Sequence, residues 1–299
     1  MLNETTAIVC NRELLVDIAD IDNSFMDPQL CATFACDIYN HLRASEVKKR
    51  PSTDYMEKIQ KKINPSMRAL LIDWLVEVAE GYSFVPETLY LAVNYIDRYL
   101  SGNPIDGERL MLLGIVCLML ASKYEDMWTP SVETFCDLAD NIYLEEEVLE
   151  MESSVLSYLK YEMTAVTTKS FLSRFVRAAR GANHELPSLH LECLANYLAE
   201  LSLLDYSMLC YAPSLIAASA IFLANYIMLP SKKPWNATLK HYTLYHPSDL
   251  RDCVKDLHRL CYDNPSSGLP AIREKYSEHE YKCVAEKHCP ATIPTEYQA

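Results

Sequence analysis

Hydrophobic residues recur at three- and four-residue spacing along most of this chain, which is the pattern of amphipathic helices. Between residues 65 and 159 this pattern predicts five consecutive helices. The third, Leu110 to Tyr124, is apolar on nearly every side, which is typical of a helix at the centre of a bundle. The fourth is predicted to begin at Thr129 and Pro130, with the threonine as its cap. An earlier helix from Pro28 carries one apolar face: Leu30, Phe34, Ile38 and Leu42.

The same pattern returns about 100 residues later, which is a common domain size. Four apolar positions of the first helix are matched at an offset of 101 residues: Leu71, Trp74, Leu75 and Val78 by Leu172, Phe175, Val176 and Ala179. The sequence therefore predicts an all-α fold of two tandem five-helix bundles preceded by an N-terminal helix. The predicted parts are an extended segment (1–27), the N-terminal helix and linker (28–62), a first bundle (63–163), a second bundle (164–265) and a C-terminal tail (266–299).

Charge argues against a nucleic-acid-binding surface. The formal net charge is −14, and the stretch from Tyr124 to Leu159 holds ten acidic residues and no Lys, Arg or His. A protein that grips a phosphate backbone needs clustered basic residues instead. No run of eighteen apolar residues and no secretory signal are evident, so we expect no membrane partner and a location in the nucleus and cytoplasm.

The eleven cysteines, scattered through apolar stretches, predict buried free thiols in a reducing compartment. The nearest approach to a metal cluster is His279, Cys283, His288 and Cys289. This group lacks the close cysteine pair of structural zinc sites, so we expect neither a metal nor a cofactor. Glycine-rich phosphate loops and hydrolase motifs are also missing from the sequence, which predicts a protein that is not an enzyme.

Four segments resemble, in order and spacing, the signature of the cyclin box. They are Met67–Val78 (Met-Arg-Ala-Leu-Leu-Ile-Asp-Trp-Leu-Val-Glu-Val), Glu87–Leu100, Leu120–Asp126 and Glu150–Glu152. The resemblance is to A-type mitotic cyclins, and Lys123-Tyr124 and the run from Lys233 to Leu239 give it a plant-like character. It implies two five-helix boxes with an extra N-terminal helix.

The resemblance also implies a partner, a cyclin-dependent protein kinase. The family holds the mobile helix of the kinase so that a helix glutamate can pair with the lysine of the ATP site, which the active arrangement requires. Two rival functions are kept: a transcription-factor core, which uses the same duplicated box to bind nucleic acid, and a helical scaffold that binds no kinase.

Site residues follow from the resemblance. Lys123 would donate to kinase backbone carbonyls, and Glu152 would pair with Lys123 and accept from backbone N–H groups. An apolar pocket between them would be formed by Leu120, Tyr124, Leu156, Tyr161 and Met163. Without the resemblance, Lys123 would be interpreted as a solvated lysine at a helix C-terminus.

A second implied site is a groove for substrates or inhibitors that carry an Arg-x-Leu motif. Its apolar wall would be Met67, Leu70, Leu71 and Trp74, and Glu77 would take the arginine. The alternative is that this helix face belongs to the core. Aligned through Lys123 without gaps, Gly107 and Met111 stand where animal A-type cyclins have an arginine and a glutamine, and Arg109 could partly substitute for the arginine. If this alignment holds, we predict weaker peptide binding than in animal A-type cyclins.

A degradation signal is the last implied site. Arg12 and Leu15 resemble a destruction box, and this resemblance implies a ubiquitin ligase of the mitotic degradation pathway as a partner.

Overall fold

The structure is a computed structural model that describes residues 18–22, 30–182, 187–263 and 268–294. Within these ranges the chain forms thirteen α-helices and no strand, which confirms the predicted all-α fold. The N-terminal helix and the linker contain α1 (Ala35–Ser45) and α2 (Tyr55–Lys58). None of the helices in these ranges is long and apolar enough to cross a membrane.

Two successive sets of five helices form the bundles. The first bundle consists of α3 (Pro65–Gly81), α4 (Pro86–Leu100), α5 (Gly107–Glu125), α6 (Val132–Asp137) and α7 (Glu145–Tyr158). The second bundle consists of α8 (Lys169–Ala182), α9 (Ser188–Leu204), α10 (Pro213–Met228), α11 (Ala237–Thr243) and α12 (Pro247–Asp263). The third helix of each set, α5 and α10, lies at the centre, and Cys117 in α5 is fully buried.

The fourth helix of the first bundle begins later than predicted. Its cap is Ser131 rather than Thr129, because the Ser131 hydroxyl accepts a hydrogen bond from the backbone N–H of Thr134 at 3.3 Å. The equivalent cap in the second bundle is Asn236, which accepts from Leu239 N–H at 2.9 Å. Each cap comes after a proline, Pro130 in the first bundle and Pro234 in the second.

Pro28, the predicted start of the N-terminal helix, lies outside the described residues. Among the described residues, the predicted helix is missing before Ala35. Cys31 has a left-handed φ of 46°, and residues 32–34 form a single 3-10 turn, so the α-helix begins only at Ala35. The predicted apolar face is also not the buried one. Phe34 and Ile38 are 63% and 44% exposed.

The α1 helix instead lies against the second bundle. The buried Tyr39 hydroxyl donates to the carbonyl of Thr243 at 2.9 Å. The buried Glu46 carboxylate accepts from the backbone N–H of Ser214 at 2.9 Å, in the first turn of α10. A carboxylate at this position satisfies a free helical N–H and complements the helix dipole. These contacts tie the N-terminal helix to the bundle that is farther along the chain.

One buried ion pair connects the linker, the first bundle and the second bundle. Arg68 in α3 and Asp97 in α4 are each 1% exposed and form a double hydrogen bond of 2.6 and 2.7 Å. The Tyr55 hydroxyl donates to the same carboxylate at 2.8 Å, and Arg68 donates to the Leu203 carbonyl of α9 at 2.9 Å. Burial by itself would lower the pKa of Arg68, but the Asp97 carboxylate outweighs it and raises the pKa.

Residues 268–294, here called the C-terminal segment, contain α13 (Ala271–Ser277) and bridge the two bundles. Lys275 lies 3.3 Å from Glu80 of α3 and 3.2 Å from Glu200 of α9. The backbone N–H of Ala271 donates to the Asp73 carboxylate at 3.1 Å. Burial raises the pKa of Asp73 to about 6, with nearby carboxylates adding to the shift. The segment therefore shares its charged contacts between both bundles.

Close contact between α3 and α5 depends on a glycine. A Cβ atom at Gly114 would lie 2.5 Å from Cδ1 of Leu71, which is itself buried. The absence of a side chain at Gly114 therefore makes room for Leu71 between the helices.

We predict that Asp97→Asn destabilises the fold by about 3–5 kcal/mol, because it leaves the Arg68 charge buried without its partner. Chemical denaturation followed by circular dichroism measures the change. The control is Asp54→Asn, which removes the carboxylate of the exposed Asp54–Lys58 pair. It should leave the denaturation midpoint essentially unchanged. Equal midpoints for the two variants would contradict the importance of the buried pair.

We predict that Gly114→Ala costs about 1–3 kcal/mol, because the new methyl group overpacks the space that Leu71 fills. Gly81→Ala at the end of α3 is the matched control, since no atom lies within 4 Å of its added Cβ. Thermal unfolding of both variants measures the difference. A Gly114→Ala protein as stable as the control would show that α3 and α5 can separate without cost.

Candidate functional site

Lys123 and Glu152 lie together on the surface of the first bundle. Lys123 is in the last turn of α5, Glu152 is in the middle of α7, and their charged atoms are 2.7 Å apart. Their side chains are 43% and 16% exposed. The Lys123 side chain is exposed and the Glu152 side chain is partly buried, and a pair near the surface of this kind adds little to stability.

The aromatic and aliphatic residues predicted to accompany this pair, here called the strip, lie on α5, on α7 and on the turn after α7, and their exposure differs widely. Tyr161 and Tyr124 are 69% and 46% exposed, and Leu156 and Met163 are half-buried. Leu120 is only 6% exposed, so it lies beneath the strip rather than on it. The hydroxyl of Tyr124 lies 2.7 Å from the hydroxyl of Thr164, so the two groups form a hydrogen bond.

The turn after α7 sets the direction of Tyr161. Lys160 and Tyr161 have left-handed φ angles of 56° and 59°, which side-chain-bearing residues adopt only under constraint. The Tyr161 N–H donates to the Leu156 carbonyl at 2.9 Å, and the hydroxyl of Tyr95 in α4 donates to the Met163 carbonyl at 2.9 Å. These bonds hold the turn so that the Tyr161 ring faces solvent.

Sequence reasoning missed the loop that follows Lys123. Asp126 accepts from Val85 N–H at 2.9 Å and from the Thr88 hydroxyl at 2.6 Å, which fixes the loop to the start of α4. Next to it, Met127 is fully exposed and Trp128 is 68% exposed. Two large apolar residues between an aspartate and a threonine-proline pair were the available signal for an exposed apolar loop.

The predicted substrate groove lies on α3. Leu70 is 58% exposed, Glu77 is exposed, and Met67 and Trp74 are half-buried. Leu71 is 4% exposed and belongs to the core, so at this position the alternative of a core residue is correct. The face thus combines exposed apolar surface with an accessible carboxylate, as an arginine- and leucine-bearing peptide would need.

The first turn of the neighbouring helix α5 approaches this face of α3. A Cβ atom at Gly107 would lie 2.7 Å from the terminal methyl group of Met67, and Met111 one turn further is half-buried. The two positions where animal A-type cyclins have arginine and glutamine therefore hold a glycine beside a methyl group and a thioether, and Arg109 between them is exposed.

Arg12 and Leu15 lie outside the described residues. In the part of the chain that the structure describes, no group of three or more His, Cys, Asp or Glu side chains could hold a metal ion.

Comparison with known proteins identifies the family. The profile of the cyclin N-terminal domain matches residues 37–164, and that of the cyclin C-terminal domain matches residues 166–290. Among solved structures, a viral cyclin from herpesvirus saimiri superposes with a TM-score of 0.64 at 20% identity, covering 75% of this chain and 97% of that one. The yeast RNA Pol II CTD kinase complex gives 0.57 at 13% identity, with 85% and 86% covered. These likenesses show the fold.

Relatives with high sequence identity come from plants. Cyclin-A1-1 of Arabidopsis thaliana is 61% identical over 99% of this chain and 66% of its own length. Cyclin-A1-1 and Cyclin-A1-4 of Oryza sativa subsp. japonica are 64% and 62% identical over 94% and 96% of this chain, which spans 55% and 81% of them. The chain thus spans 55–66% of the first four relatives that it matches. It belongs to the cyclin family and resembles the A-type members from plants.

Proposed function

We propose that this chain is the regulatory subunit of a cyclin-dependent protein kinase, that it controls cell-cycle progression, and that it performs no chemistry itself. Membership of the cyclin family and the identity with plant A-type cyclins support the proposal. The observation that carries it is the exposed Lys123–Glu152 pair inside a strip of uncovered aromatic side chains.

The arrangement suits binding to the edge of a kinase helix. An ammonium group can donate to carbonyls that lack partners, and a carboxylate can accept from free N–H groups. The apolar strip would supply buried area, with Tyr161 as its most exposed anchor. The chain activates the kinase by binding its active conformation more tightly than its inactive one.

The groove on α3 has a separate role in this proposal. It recruits substrates or inhibitors with an Arg-x-Leu motif, whose leucine meets the apolar wall and whose arginine meets Glu77. Residues Arg12 and Leu15 are proposed to bind the ubiquitin ligase of the mitotic degradation pathway. The proposed location of the protein in the cell is the nucleus and cytoplasm.

We predict that Lys123→Glu and Glu152→Lys each weaken kinase binding by about 2–5 kcal/mol, at least tenfold in affinity. The double reversal should not restore binding, because each group also bonds the kinase backbone. Kinase pull-down and a phosphorylation assay over a range of cyclin concentrations measure the effect.

The matched control for these variants is Arg259→Glu. Arg259 pairs with Asp205 at 2.7 Å with exposures of 51% and 21%, close to those of the candidate pair, but it lies in the second bundle. This variant should activate the kinase like wild type. Activation of the kinase by Lys123→Glu at wild-type concentrations would contradict the assignment. A mobility shift of nucleic acid by the purified chain would favour the transcription-factor alternative.

We predict that the groove binds Arg-x-Leu peptides, but more weakly than animal A-type cyclins do, because each missing hydrogen bond costs about 0.5–1.5 kcal/mol. Trp74→Ala should nearly abolish binding and Met111→Gln should tighten it. Peptide titration measures both, with Trp128→Ala as an exposed tryptophan outside the groove. If all four proteins bound with equal affinity, the face would not be the peptide site.

A further inference from the structure

A cavity of about 90 Å³ lies where the linker and the two bundles meet. The linker contributes Arg50, α4 contributes Val93 and Asn94, and residues 166–168 between the bundles form another wall. The remaining walls belong to α3, to the end of α9, to the 3-10 turn that follows it and to the start of α10. The cavity is therefore complete only when the linker and both bundles are folded together.

The charged side chains around the cavity carry a net positive charge. The charged residues among those that line it are Arg50, Arg68 and Asp97. Arg68 and Asp97 neutralise each other in the buried ion pair described above. The charge of Arg50 therefore remains uncompensated inside a chain whose formal net charge is −14.

The Arg50 guanidinium is held in place but keeps donors for a ligand. Its Nη2 atom donates to the carbonyls of Leu209 and Tyr211 at 2.6 and 2.8 Å. These bonds use both Nη2 hydrogens, so the N–H groups of Nε and Nη1 remain for another acceptor. Among the described residues Arg50 forms no ion pair, and the Asp256 carboxylate accepts instead from the Tyr211 hydroxyl at 2.7 Å. A half-buried guanidinium without a carboxylate partner attracts an anion.

We propose that this cavity binds a small oxyanion, either a phosphate ion or a small carboxylate such as acetate. Arg50 supplies the charge, and its planar set of N–H donors matches two oxygen atoms of the ligand. The volume corresponds to about three water molecules at roughly 30 Å³ each, which is enough for an ion of four or five non-hydrogen atoms. The proposal does not depend on the kinase partner.

Neutral side chains around the cavity complete the site. The amide nitrogen of Asn94 reaches the Lys49 carbonyl only at 3.3 Å, which is a long hydrogen bond, and the Thr168 hydroxyl can rotate to donate. Val93 and Ile216 form apolar parts of the wall. Apolar walls lower the local dielectric constant, which strengthens the attraction between Arg50 and an anion.

A bound oxyanion should stabilise the two-bundle arrangement. The complete site exists only in the folded chain, so a ligand that occupies it favours the folded state by mass action. At about one hundred times the dissociation constant, we expect the thermal unfolding midpoint to rise by about 5 °C.

The test measures the thermal unfolding midpoint of the full chain in sodium chloride, sodium phosphate and sodium acetate at equal pH and ionic strength. Isothermal titration calorimetry with phosphate and with acetate gives the affinity for each ion. We expect a rise that saturates with at least one oxyanion, and the tighter of the two identifies the preferred ligand. A rise that grows linearly without saturation would be the general effect of excluded salts and would count against a site.

Three variants separate binding in the cavity from binding elsewhere. Arg50→Gln should weaken binding at least tenfold, because it removes the charge while its amide can still donate to a carbonyl. Val166→Phe keeps Arg50 but fills the cavity, and it should also abolish the saturating response; Val166 is half-buried, so the larger ring can be accommodated. Arg259→Gln changes an arginine of the second bundle that does not line the cavity, and it should bind like wild type.

The proposal is overturned if neither oxyanion gives a saturating response. It is also overturned if Arg50→Gln binds as tightly as wild type, which would indicate an adventitious ion only. If Arg50→Gln is too unstable to titrate, Val166→Phe decides the question, because an unchanged affinity in that variant would place the ion outside the cavity.

Discussion

The ion pair between Arg68 and Asp97 is the constraint on which the two-bundle arrangement depends. Two opposite charges are buried almost completely, and removing either one would leave the other in a medium that solvates it poorly. The same carboxylate holds Tyr55 of the linker, and the same guanidinium holds a carbonyl of α9. The linker, α3 and α4 of the first bundle, and α9 of the second bundle must therefore be in place together.

Most of the fold could be predicted from periodicity, because burial of apolar residues dominates the energy of an all-helical protein. The matched positions Leu71 and Leu172 are both buried, as a repeated unit requires. Helix starts were harder to predict. A threonine before a proline is a reasonable cap, but Ser131 was better placed to reach a free N–H group. In the N-terminal helix, a left-handed residue at Cys31 overrode a regular apolar pattern.

The candidate site was predictable only in part. Family resemblance indicated Lys123 and Glu152, and the structure places them 2.7 Å apart, but their roles toward a kinase remain predictions. Exposure could not be read from residue type: Leu70 and Leu71 are neighbours of the same kind, yet one is 58% exposed and the other 4%. The direction of Tyr161 depends on two left-handed residues, and no local sequence signal distinguishes that turn from an ordinary helix end.

The bridging position of the C-terminal segment has a consequence for the order of events on the ribosome. Asp73 and Glu80 belong to the first bundle, but their partners Ala271 and Lys275 are synthesised only after both bundles. A nascent first bundle therefore emerges with these two carboxylates facing water. The elongating chain can assemble each bundle as it appears, whereas the clamp across them closes only when translation has passed residue 275.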